Sequence, residues 1–588
     1  MCLIAVIVGA HRLRFQPRPT SPRLPPVTIT ARSLNTTQPA ITLGLWDGHD
    51  AGAALVVGGQ VVAALSEERL TRRKHQAGFP QQSVVEVLHL AGVQAAQVDA
   101  IAVAGRYGRA PARLFDRHYA AHDPGRIDPL SLQSQAFAQF QHTVAALPVV
   151  RAAEAWLGQQ AMRSHLLHLD LGHAKLTAID HHLCHALAAV ARAQLPALVL
   201  TVDGYGDGIS VAVWLATGRT AGQIQRLHAQ GPRHSPALLY GGITQLLGFG
   251  EGQEGKVTGL AALGKSQNTL RLHDQLRHHQ LDLHVQVRQG LASVRLALWQ
   301  GLAAADVAWE LQRALTAAIL PWAAQWRAHT GVDNLALAGG LFANVALNGA
   351  LAAQGWKSLS VCPAMGDQGL CVGAALAASG HLAAAEQVEA TPWPSLRLGT
   401  PIASVQPPPP AQVATSLATG AVWGVARGAL EFGPRALGAR SIIADPRQRQ
   451  LVADLNERLH RDAFMPLAPV FAQPRWAQVI STPLAPVLRS SGDMTVALPV
   501  TPAFATVAPA VVHVDGTARP QALAEHDDPW LFAVVQAFAE LTGCPALVNT
   551  SFNRHGEPIV RTAQEALASA LAIGLDVVLV GDEVARLK

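Results

Sequence analysis

A strand followed by an Asp-Gly turn occurs twice in this chain, and this repeat limits the fold more than any other feature of the sequence. Ile41 to Trp46 is an apolar run that leads into Asp47-Gly48, and Leu198 to Val202 is an apolar run that leads into Asp203-Gly204. Short apolar runs that end in glycine turns are typical of buried strands. The two stretches therefore indicate an internal repeat of one supersecondary unit.

Each repeated strand is followed by a hairpin. Ala53 to Val57 and Gln60 to Leu65 are predicted strands joined by Gly58-Gly59, since glycine supplies the positive φ angles of a two-residue turn. Ile209 to Trp214 takes the corresponding place in the second unit. Two such halves are typical of the actin-like and sugar-kinase-like folds, in which a nucleotide or phosphate lies between the halves. Because Asp-Gly is also a common turn dipeptide, two unrelated hairpins are the alternative.

Length and proline content indicate several domains. A chain of 588 residues is too long for one core, and the four consecutive prolines at 407–410 favour a stiff connector. We predict an α/β protein with an actin-like, duplicated RNase H-like domain at 41–391, a Pro-rich linker at 392–411 and a second α/β domain at 412–588. Residues 1–40 are predicted to be an unstructured extension or the result of an upstream start codon, with a transit-type leader as the alternative.

Further elements are predicted from apolar runs, helical periodicity and glycine or proline breaks. The additional helices are predicted at 152–167, 307–329, 368–378, 449–460 and 530–541. The additional strands are predicted at 335–337, 422–426, 510–514, 546–549 and 576–580.

The composition narrows the class of protein. A net charge of +5, without a long run of Lys or Arg, argues against a nucleic-acid partner. Five cysteines without a C-x-x-C pair argue against a disulfide framework and a thiolate zinc site, and indicate a reducing, cytoplasmic compartment. No apolar run reaches the roughly 18 residues of a membrane span, so we expect no membrane partner. The oligomeric state stays open between a monomer and a homodimer.

The histidines His181 and His185 form the first candidate site. They are four residues apart, so on a helix they lie on one face and can bind the same metal ion. Asp203, at the end of a repeated strand, and Asp367, between glycines, are candidates for the remaining ligands. Two imidazoles and two carboxylates suit iron, zinc or manganese. With 25 histidines in the chain, an ordinary structural pair is the alternative.

Arginines on turns of the last domain form the second candidate site. The turn at 431–441 carries two guanidinium groups on a frame of Gly and Pro, and such planar forks match phosphate or carboxylate oxygens. Amide and hydroxyl groups follow a predicted strand, at a position where ligands of open α/β sheets bind. Together these residues predict an anion pocket, with arginines in ordinary solvated loops as the alternative. The candidates are Arg435, Arg440, Arg461, Arg519, Asn549 and Ser551.

Several segments together resemble one known family. They run in order from about residue 41 to the C-terminus and are similar to segments of the nodulation-factor and antibiotic O-carbamoyltransferases. The segments are 48–50, 66–75, 181–185, 255–261, 339–344, 433–441, 515–521 and 549–553.

The resemblance implies a two-step reaction. The C-terminal domain, similar to the enzymes that make threonylcarbamoyl-AMP, would form carbamoyl adenylate from carbamoyl phosphate and ATP, with magnesium as the companion of ATP. The actin-like domain, with bound iron, would transfer the carbamoyl group to a hydroxyl of a small acceptor. The acceptor stays open among sugars, aminoglycosides, polyketides and alkaloids.

The resemblance also implies residue roles. Four residues would hold Fe(II), or another divalent metal: His181, His185, Asp203 and Asp367. Four would hold carbamoyl phosphate and ATP: Arg435, Arg519, Asn549 and Ser551, with Arg461 and Arg440 as further anion ligands. Three would line the transfer site: Lys74, Glu254 and Asn344. We add the hypothesis that His49 is the base for the acceptor hydroxyl. A histidine that only shapes its turn is the alternative.

One stretch departs from the family pattern. The family commonly has a Lys and a further Arg before its Pro-Phe-Ala-Pro segment, whereas here the run 460–469 is one residue shorter and has Met465 at the arginine position. Arg461 remains as an anion ligand. The details of phosphate binding are therefore open.

Two other functions fit parts of the sequence. A transfer-RNA threonylcarbamoylation enzyme would share the actin-like domain, but the second domain and the lack of a basic stripe argue against it. Hydrogenase-maturation carbamoyltransferases need zinc-finger cysteines that this chain lacks. A protein that only binds a nucleotide or a metal is the alternative from a different class.

Overall fold

The computed structural model describes most of the chain after residue 38. The described residues are 39–107, 147–250, 252–266, 270–382, 393–462, 464–465, 467–484, 487–488 and 491–587. By their contacts, the residues Ala40–Lys588 cluster as one unit. The extension predicted at 1–40 lies almost entirely outside the described residues.

The strands and helices are numbered in chain order. The strands are β1 (Ile41–Trp46), β2 (Gly52–Val57), β3 (Gln60–Ser66), β4 (Ala100–Ala104), β5 (Lys175–Ile179), β6 (Ala197–Gly206), β7 (Ile209–Ala216), β8 (Ile224–Gln230), β9 (Leu276–His279), β10 (Asp282–Val285), β11 (Asn334–Ala338), β12 (Ser358–Val361), β13 (Arg397–Ile402), β14 (Trp423–Ala426), β15 (Gly428–Glu431), β16 (Arg440–Ala444), β17 (Ala468–Ala472), β18 (Leu498–Pro499), β19 (Thr517–Ala518), β20 (Gln521–Leu523), β21 (Ala546–Ser551), β22 (Val577–Val580) and β23 (Glu583–Arg586). The helices are α1 (Glu68–Thr71), α2 (Gln81–Leu90), α3 (Pro148–Leu167), α4 (His181–Val190), α5 (Pro236–Leu246), α6 (Glu254–Ala261), α7 (Leu272–Gln275), α8 (Val287–Trp299), α9 (Ala304–Thr330), α10 (Val345–Ala352), α11 (Leu370–Leu382), α12 (Pro410–Ala418), α13 (Arg449–Arg458), α14 (Trp476–Val479), α15 (Pro502–Val507), α16 (Pro529–Thr542) and α17 (Ala563–Ile573).

Two five-stranded sheets contain the repeated units. Their strand orders are β3-β2-β1-β4-β5 and β12-β11-β6-β7-β8. In the first sheet β1 is antiparallel to β2 and parallel to β4, and in the second β6 is antiparallel to β7 and parallel to β11. Read from opposite ends, the two orders and the strand directions are the same. The repeated strand-and-hairpin unit predicted from the sequence is therefore present in both sheets.

Helices α4 and α11 pack against each other between the two sheets. Helix α11 contacts β1, and α4 contacts β6 and β11. Glycine allows α11 to lie close to β1 and to α4. A Cβ on Gly44 of β1 would lie 1.9 Å from Cys371 O, and a Cβ on Gly373 of α11 would lie 1.9 Å from Cys184 O. This packing brings the start of α4 next to the turn that precedes α11.

The C-terminal region forms a mixed sheet of seven strands in the order β20-β17-β21-β16-β14-β22-β23. Its apolar core is continuous with the core of the two smaller sheets. The helices predicted around α13 and α16 and the strands predicted around β14, β21 and β22 are confirmed. The strand predicted at 510–514 is wrong, because Pro509–Val511 is a 3₁₀ turn. Proline fixes φ and has no N–H to donate, which favours a turn over a paired strand there.

The predicted linker contains regular structure. Strand β13 lies inside it and pairs with β15, Trp393 is fully buried, and Pro410 is the first residue of α12. Trp530 Nε1 donates to Pro408 O at 2.8 Å, so the proline run contacts the C-terminal region. The position of a domain boundary in this stretch stays a prediction.

Two global features complete the fold. None of the helices in the described part of the chain combines the length and the hydropathy that crossing a membrane requires. The four described cysteines are buried and free.

Candidate active site

The four candidate metal ligands come from three places in the fold. Asp180 caps α4 by accepting a hydrogen bond from Leu183 N at 3.0 Å, so the helix begins at His181 and places His185 one turn further on the same face. Asp203 lies in β6. Asp367 lies in the 3₁₀ turn that leads into α11. Each residue is thus fixed by a strand or by the end of a helix.

These four side chains converge. One ligand atom from each of His181, His185, Asp203 and Asp367 lies within 4.8 Å of the others. His181 Nε2 is 3.5 Å from Asp203 Oδ2 and 3.6 Å from Asp367 Oδ1, and His185 Nε2 is 3.5 Å from Asp367 Oδ1. The four-residue set proposed from the sequence is therefore a spatial cluster.

The cluster fits a divalent cation. His181 Nε2, His185 Nε2 and Asp367 Oδ1 are buried and have no hydrogen-bond partner, and buried polar atoms are normally satisfied. Burial alone would lower the pKa of His181, but Asp367 and Asp203 raise it to about 9. The carboxylates thus favour a positive charge, and nitrogen and oxygen donors of this kind suit iron, zinc or manganese.

Backbone groups fix the ligands in place. Asp207 Oδ2 accepts a hydrogen bond from His181 N at 2.9 Å, and Asp203 Oδ1 accepts one from Gly340 N at 2.7 Å. A Cβ on Gly206 would lie 2.1 Å from Cγ of His181, so this strand end requires glycine. The neighbouring His182 faces elsewhere, with Nδ1 3.0 Å from Thr201 Oγ1 and Nε2 2.9 Å from Ile209 O. It ties α4 to the second sheet.

His49 lies at the edge of the candidate metal site. Its Nε2 is 3.2 Å from Asp367 Oδ2 and its Nδ1 is 3.2 Å from Asp50 Oδ2, while 56% of the side chain is exposed. Asp50 Oδ1 is also 2.8 Å from His75 Nδ1. Partial loss of water around the ring opposes protonation of His49, but Asp367 and Asp50 outweigh it and raise the pKa of His49. His49 therefore reaches the candidate ligands from the solvent side, where an acceptor can approach.

Three arginines of the C-terminal region form a second cluster. Burial and Arg461 lower the pKa of Arg435 to about 10, and burial together with Arg435 and Arg461 lowers the pKa of Arg519 well below its usual value. The Nε atoms of Arg435 and Arg519 are buried without a hydrogen-bond partner. Three guanidinium groups held together, with Asp462 as a single carboxylate beside Arg461, favour a bound anion.

Arg461 also lines a cavity of about 170 Å³, which we call the basic cavity. Lys74, assigned to the transfer site from the resemblance, lies here together with Arg461 and Ser551. Lys256 and His555 line the same cavity and were missed among the sequence candidates, although both lie within or next to segments of the resemblance. Among the described residues, the cavity is lined by Lys74, Lys256, Leu459, Arg461, Asp462, Met465, Ser551, Asn553, His555 and Gly556.

Comparison with known proteins identifies the family. The carbamoyltransferase N-terminus model matches residues 42–376, and the carbamoyltransferase C-terminus model matches residues 414–586. This chain belongs to the carbamoyltransferase family. It is a carbamoyltransferase enzyme, and both matched regions contribute to the basic cavity.

Relatives of this carbamoyltransferase match along most of its length. It is 31% identical to nodulation protein NolNO of Sinorhizobium fredii, over 91% of this chain and 78% of the relative. It is 32% identical to nodulation protein NolO of Bradyrhizobium diazoefficiens, over 69% of this chain and 79% of the relative. An uncharacterized protein of Synechocystis is 30% identical over 90% of this chain and 93% of its own.

Two solved structures overlap the carbamoyltransferase more weakly. Component A of the (R)-2-hydroxyglutaryl-CoA dehydratase of Acidaminococcus fermentans covers 57% of this chain and 96% of its own, at 14% identity and a TM-score of 0.35. Full-length HypF covers 60% of this chain and 47% of its own, at 12% identity and a TM-score of 0.34. Overlaps of this size do not define a fold.

Arg440 is a correction to the predicted anion ligands. Its side chain is fully buried, and Nη1 donates to the carbonyl oxygens of Arg427, Gly428 and Ala439 at 3.0, 3.1 and 2.9 Å. Nη2 donates to Thr400 O at 3.1 Å. The guanidinium of Arg440 in this carbamoyltransferase is thus held by backbone carbonyl oxygens, which argues against a role as an anion ligand.

Asn549 and Ser551 lie on β21. Asn549 Nδ2 donates to Gln521 Oε1 at 2.6 Å and to Ala436 O at 3.2 Å, which ties the turn that carries Arg435 to the strand next to Arg519. Asn549 Oδ1 is buried without a partner. These contacts place Asn549 in the frame of the arginine cluster, with one acceptor atom left for a ligand.

Glu254 and Asn344 lie at helix starts. Glu254 is the first residue of α6, two residues before Lys256 of the basic cavity. Asn344 caps α10 by accepting from Leu347 N at 3.0 Å, and its Nδ2 donates to Gln312 Oε1 at 2.7 Å. Their roles in carbamoyl transfer stay predictions.

Proposed function

We propose that this carbamoyltransferase forms carbamoyl adenylate from carbamoyl phosphate and ATP, and then transfers the carbamoyl group to a hydroxyl of a small molecule. The observation that carries the proposal is the basic cavity, to which Lys74 of the N-terminal matched region and Arg461 and Ser551 of the C-terminal matched region all contribute. A metal cluster lies in one region and an arginine cluster in the other. A shared cavity suits a charged intermediate made in one region and used in the other.

The arginine cluster suits the first step. Carbamoyl phosphate, ATP and water would give carbamoyl adenylate, pyrophosphate and phosphate. Water first cleaves carbamoyl phosphate to carbamate and phosphate; a carbamate oxygen then attacks the α-phosphorus of ATP, and the bond to pyrophosphate breaks. Arg435, Arg461 and Arg519 would neutralise the phosphate oxygens, so that an anionic oxygen can approach and pyrophosphate can leave.

The metal cluster suits the second step. Iron(II), or another divalent metal, held by His181, His185, Asp203 and Asp367 would supply a Lewis acid for the carbamoyl carbonyl. His49, next to Asp367, would take the proton of the acceptor hydroxyl once the bound cation offsets the carboxylate charge that otherwise keeps its imidazole protonated. The hydroxyl oxygen then bonds to the carbamoyl carbon, and AMP leaves with the electrons of the broken C–O bond.

The proposal includes a finer description of the fold. The two sheets with matching order would be the halves of an actin-like, duplicated RNase H-like domain, and the C-terminal region would be similar to the threonylcarbamoyl-AMP synthase fold. The shared strand order and directions of the two sheets support the first part.

The reaction is tested with the full-length protein, iron(II), MgATP and carbamoyl phosphate. We expect pyrophosphate release that requires both substrates. Release with ATP alone, or none with both, would contradict the activation step.

The assignment of activation to the arginine cluster and of transfer to the candidate metal site is tested with His181→Ala. We expect it to retain pyrophosphate release and to lose carbamoyl transfer, because it removes one metal ligand and leaves the arginine cluster intact. Transfer is followed with labelled carbamoyl phosphate and extracts that contain candidate acceptors. His89→Ala, an exposed histidine on α2, is the control and should retain both steps. Loss of both steps in a folded His181→Ala protein would contradict the assignment of the two steps to two separate sites.

A further inference from the structure

The basic cavity carries more positive than negative charge. Lys74, Lys256, Arg461 and His555 line it, and Asp462 is the carboxylate among the described lining residues. Its volume of about 170 Å³ is below the range of about 300–1,000 Å³ typical of pockets for drug-sized ligands. Both the size and the charge therefore fit one phosphate-type group better than a whole nucleotide.

Lys256 enters this cavity from α6. Its Nζ lies 2.8 Å from Asp462 Oδ2 and 5.6 Å from the ring centroid of Phe249. The ion pair joins the two matched regions, and 36% of the Asp462 side chain is exposed. The Lys256 side chain is 19% exposed and Asp462 Oδ2 is buried, so an anion in the cavity has to compete with this carboxylate for the Lys256 ammonium.

Met465 lies on the same cavity, at the position where the sequence comparison led us to expect an arginine. Helix α6 packs directly on it, since a Cβ on Gly259 would lie 3.1 Å from Met465 Sδ. Met465 carries no charge, but Lys256 on the adjacent helix α6 lines the same cavity. The cavity therefore retains a cation beside position 465, supplied by a different segment.

We propose that Lys256 binds a phosphate group in the basic cavity, exchanging Asp462 for a phosphate oxygen, and so takes the place of the arginine absent at position 465. The inference rests on the proposed ATP-dependent activation, which produces pyrophosphate. Lys74 and Arg461 flank the same group, and burial together with Lys256 and Lys74 lowers the pKa of His555, which leaves its imidazole able to accept or donate a hydrogen bond.

The test uses inorganic pyrophosphate and the full-length protein, with binding measured by calorimetry at fixed ionic strength. Lys256→Met removes the charge and keeps most of the unbranched chain, and we expect about tenfold weaker binding, because a charge-assisted contact is lost. Lys256→Arg should bind within a few-fold of the parent protein. Lys357→Met, an exposed lysine on the turn before β12, is the matched control and should leave binding unchanged.

Two further variants address the exchange and the missing arginine. Asp462→Asn removes the competing carboxylate and should tighten pyrophosphate binding. Met465→Arg combined with Lys256→Met should restore binding, because both cations would serve the same anion. Rescue also shows that the Lys256→Met protein is folded.

The outcomes separate the two proposals. If the parent protein binds no pyrophosphate and releases none from ATP and carbamoyl phosphate, the proposed function and this inference are both contradicted. If the parent protein does both, but Lys256→Met binds pyrophosphate as tightly as Lys357→Met, the inference alone is overturned.

Discussion

Asp367 is the side chain that connects the candidate metal ligands to His49. Its Oδ1 lies 3.6 Å from His181 Nε2 and 3.5 Å from His185 Nε2, and its Oδ2 lies 3.2 Å from His49 Nε2. Asp203 adds a second carboxylate to this buried site. Such negative charge has to be offset by protonated imidazole or by a bound cation. A proton and a metal ion therefore compete for His181.

This competition predicts pH-dependent metal binding. The pKa of His181 rises from 6.5 to about 9 in the folded protein, so between these values a metal ion must displace a proton. Affinity should increase with pH by up to about tenfold per unit in this window and level off above it. Calorimetry with Zn²⁺ in two buffers of different ionisation enthalpy measures the protons released. Affinity that does not change with pH would contradict the prediction.

The same shift has a consequence for the metal-free protein. Because the folded pKa of His181 lies above the unfolded one, the stabilisation from its protonated form is complete below pH 6.5 and is lost as the pH rises through about 9. The free energy of unfolding of metal-free protein, measured in urea, should fall over this range. Metal-loaded protein should lose less. A metal-free protein that becomes more stable towards pH 9 would refute the assignment.

Arg435 and Arg440 differ in role although they share one turn. Arg440→Met removes donors from several buried carbonyl oxygens, so we expect a loss of about 3–5 kcal/mol of stability. Arg435→Met removes a buried charge without a partner, and should leave stability unchanged or higher while abolishing pyrophosphate release. Chemical denaturation and the release assay distinguish them. Arg449→Met, exposed on α13, is the control for loss of an arginine. Equal stability of the two turn variants would be the contrary result.

At the scale of elements, the packing of α4 against α11 positions the metal cluster. Two of the ligands lie in the first turns of α4, and a third immediately precedes α11. The helices can approach because glycine lies at the contact. A change of distance between them would therefore separate His185 from Asp367.

Gly373→Ala tests this contact. Its Cβ would lie 1.9 Å from Cys184 O, a backbone atom that cannot turn aside, so we expect a loss of about 1–3 kcal/mol of stability or more and weaker Zn²⁺ binding. Urea unfolding and metal titration measure the two effects. Gly222→Ala is the matched control, since a Cβ there has no neighbour within 4 Å. A Gly373→Ala protein with unchanged metal affinity would show that the spacing of the helices is not critical.

Most elements could be predicted from the sequence because their signals are local. The strands β1, β2 and β3 follow from apolar runs bounded by glycine turns, and α9 follows from its apolar periodicity. The failure at 510–514 has a local cause as well: the valines in this run suggested a strand, but Pro509 begins a 3₁₀ turn. Strand β13 was missed because the prolines around it hide a short paired segment.

At the scale of the whole molecule, the segment after β3 ties the N-terminal and C-terminal matched regions together. Arg72 Nη1 donates to Ile559 O and Arg72 Nη2 donates to Pro558 O, each at 2.7 Å. Arg69 Nη2 donates to Gly433 O at 3.0 Å, next to the turn that carries Arg435. The same segment continues to Lys74 in the basic cavity and to His75, which contacts Asp50. One short stretch thus touches both candidate centres.

Arg72→Met should loosen this connection. We expect the KM for carbamoyl phosphate in pyrophosphate release to increase about tenfold with a smaller change in kcat, because Lys74 loses its position while the arginine cluster stays intact. Steady-state kinetics measure the split. Arg73→Met, the exposed neighbour, is the control. An unchanged KM in Arg72→Met would mean that Lys74 is held by other contacts.

The sequence by itself determined the repeated strand unit and the residue types of the candidate metal site, because strand ends, helix spacing and ligand chemistry are local properties. Only the tertiary structure showed that Arg440 of this turn is held by backbone carbonyl oxygens, since Thr400 O and Arg561 O come from other segments of the chain. It also decided that Lys74 and Lys256 share a cavity with Arg461. Those residues are hundreds of positions apart, and only folding brings their charges together.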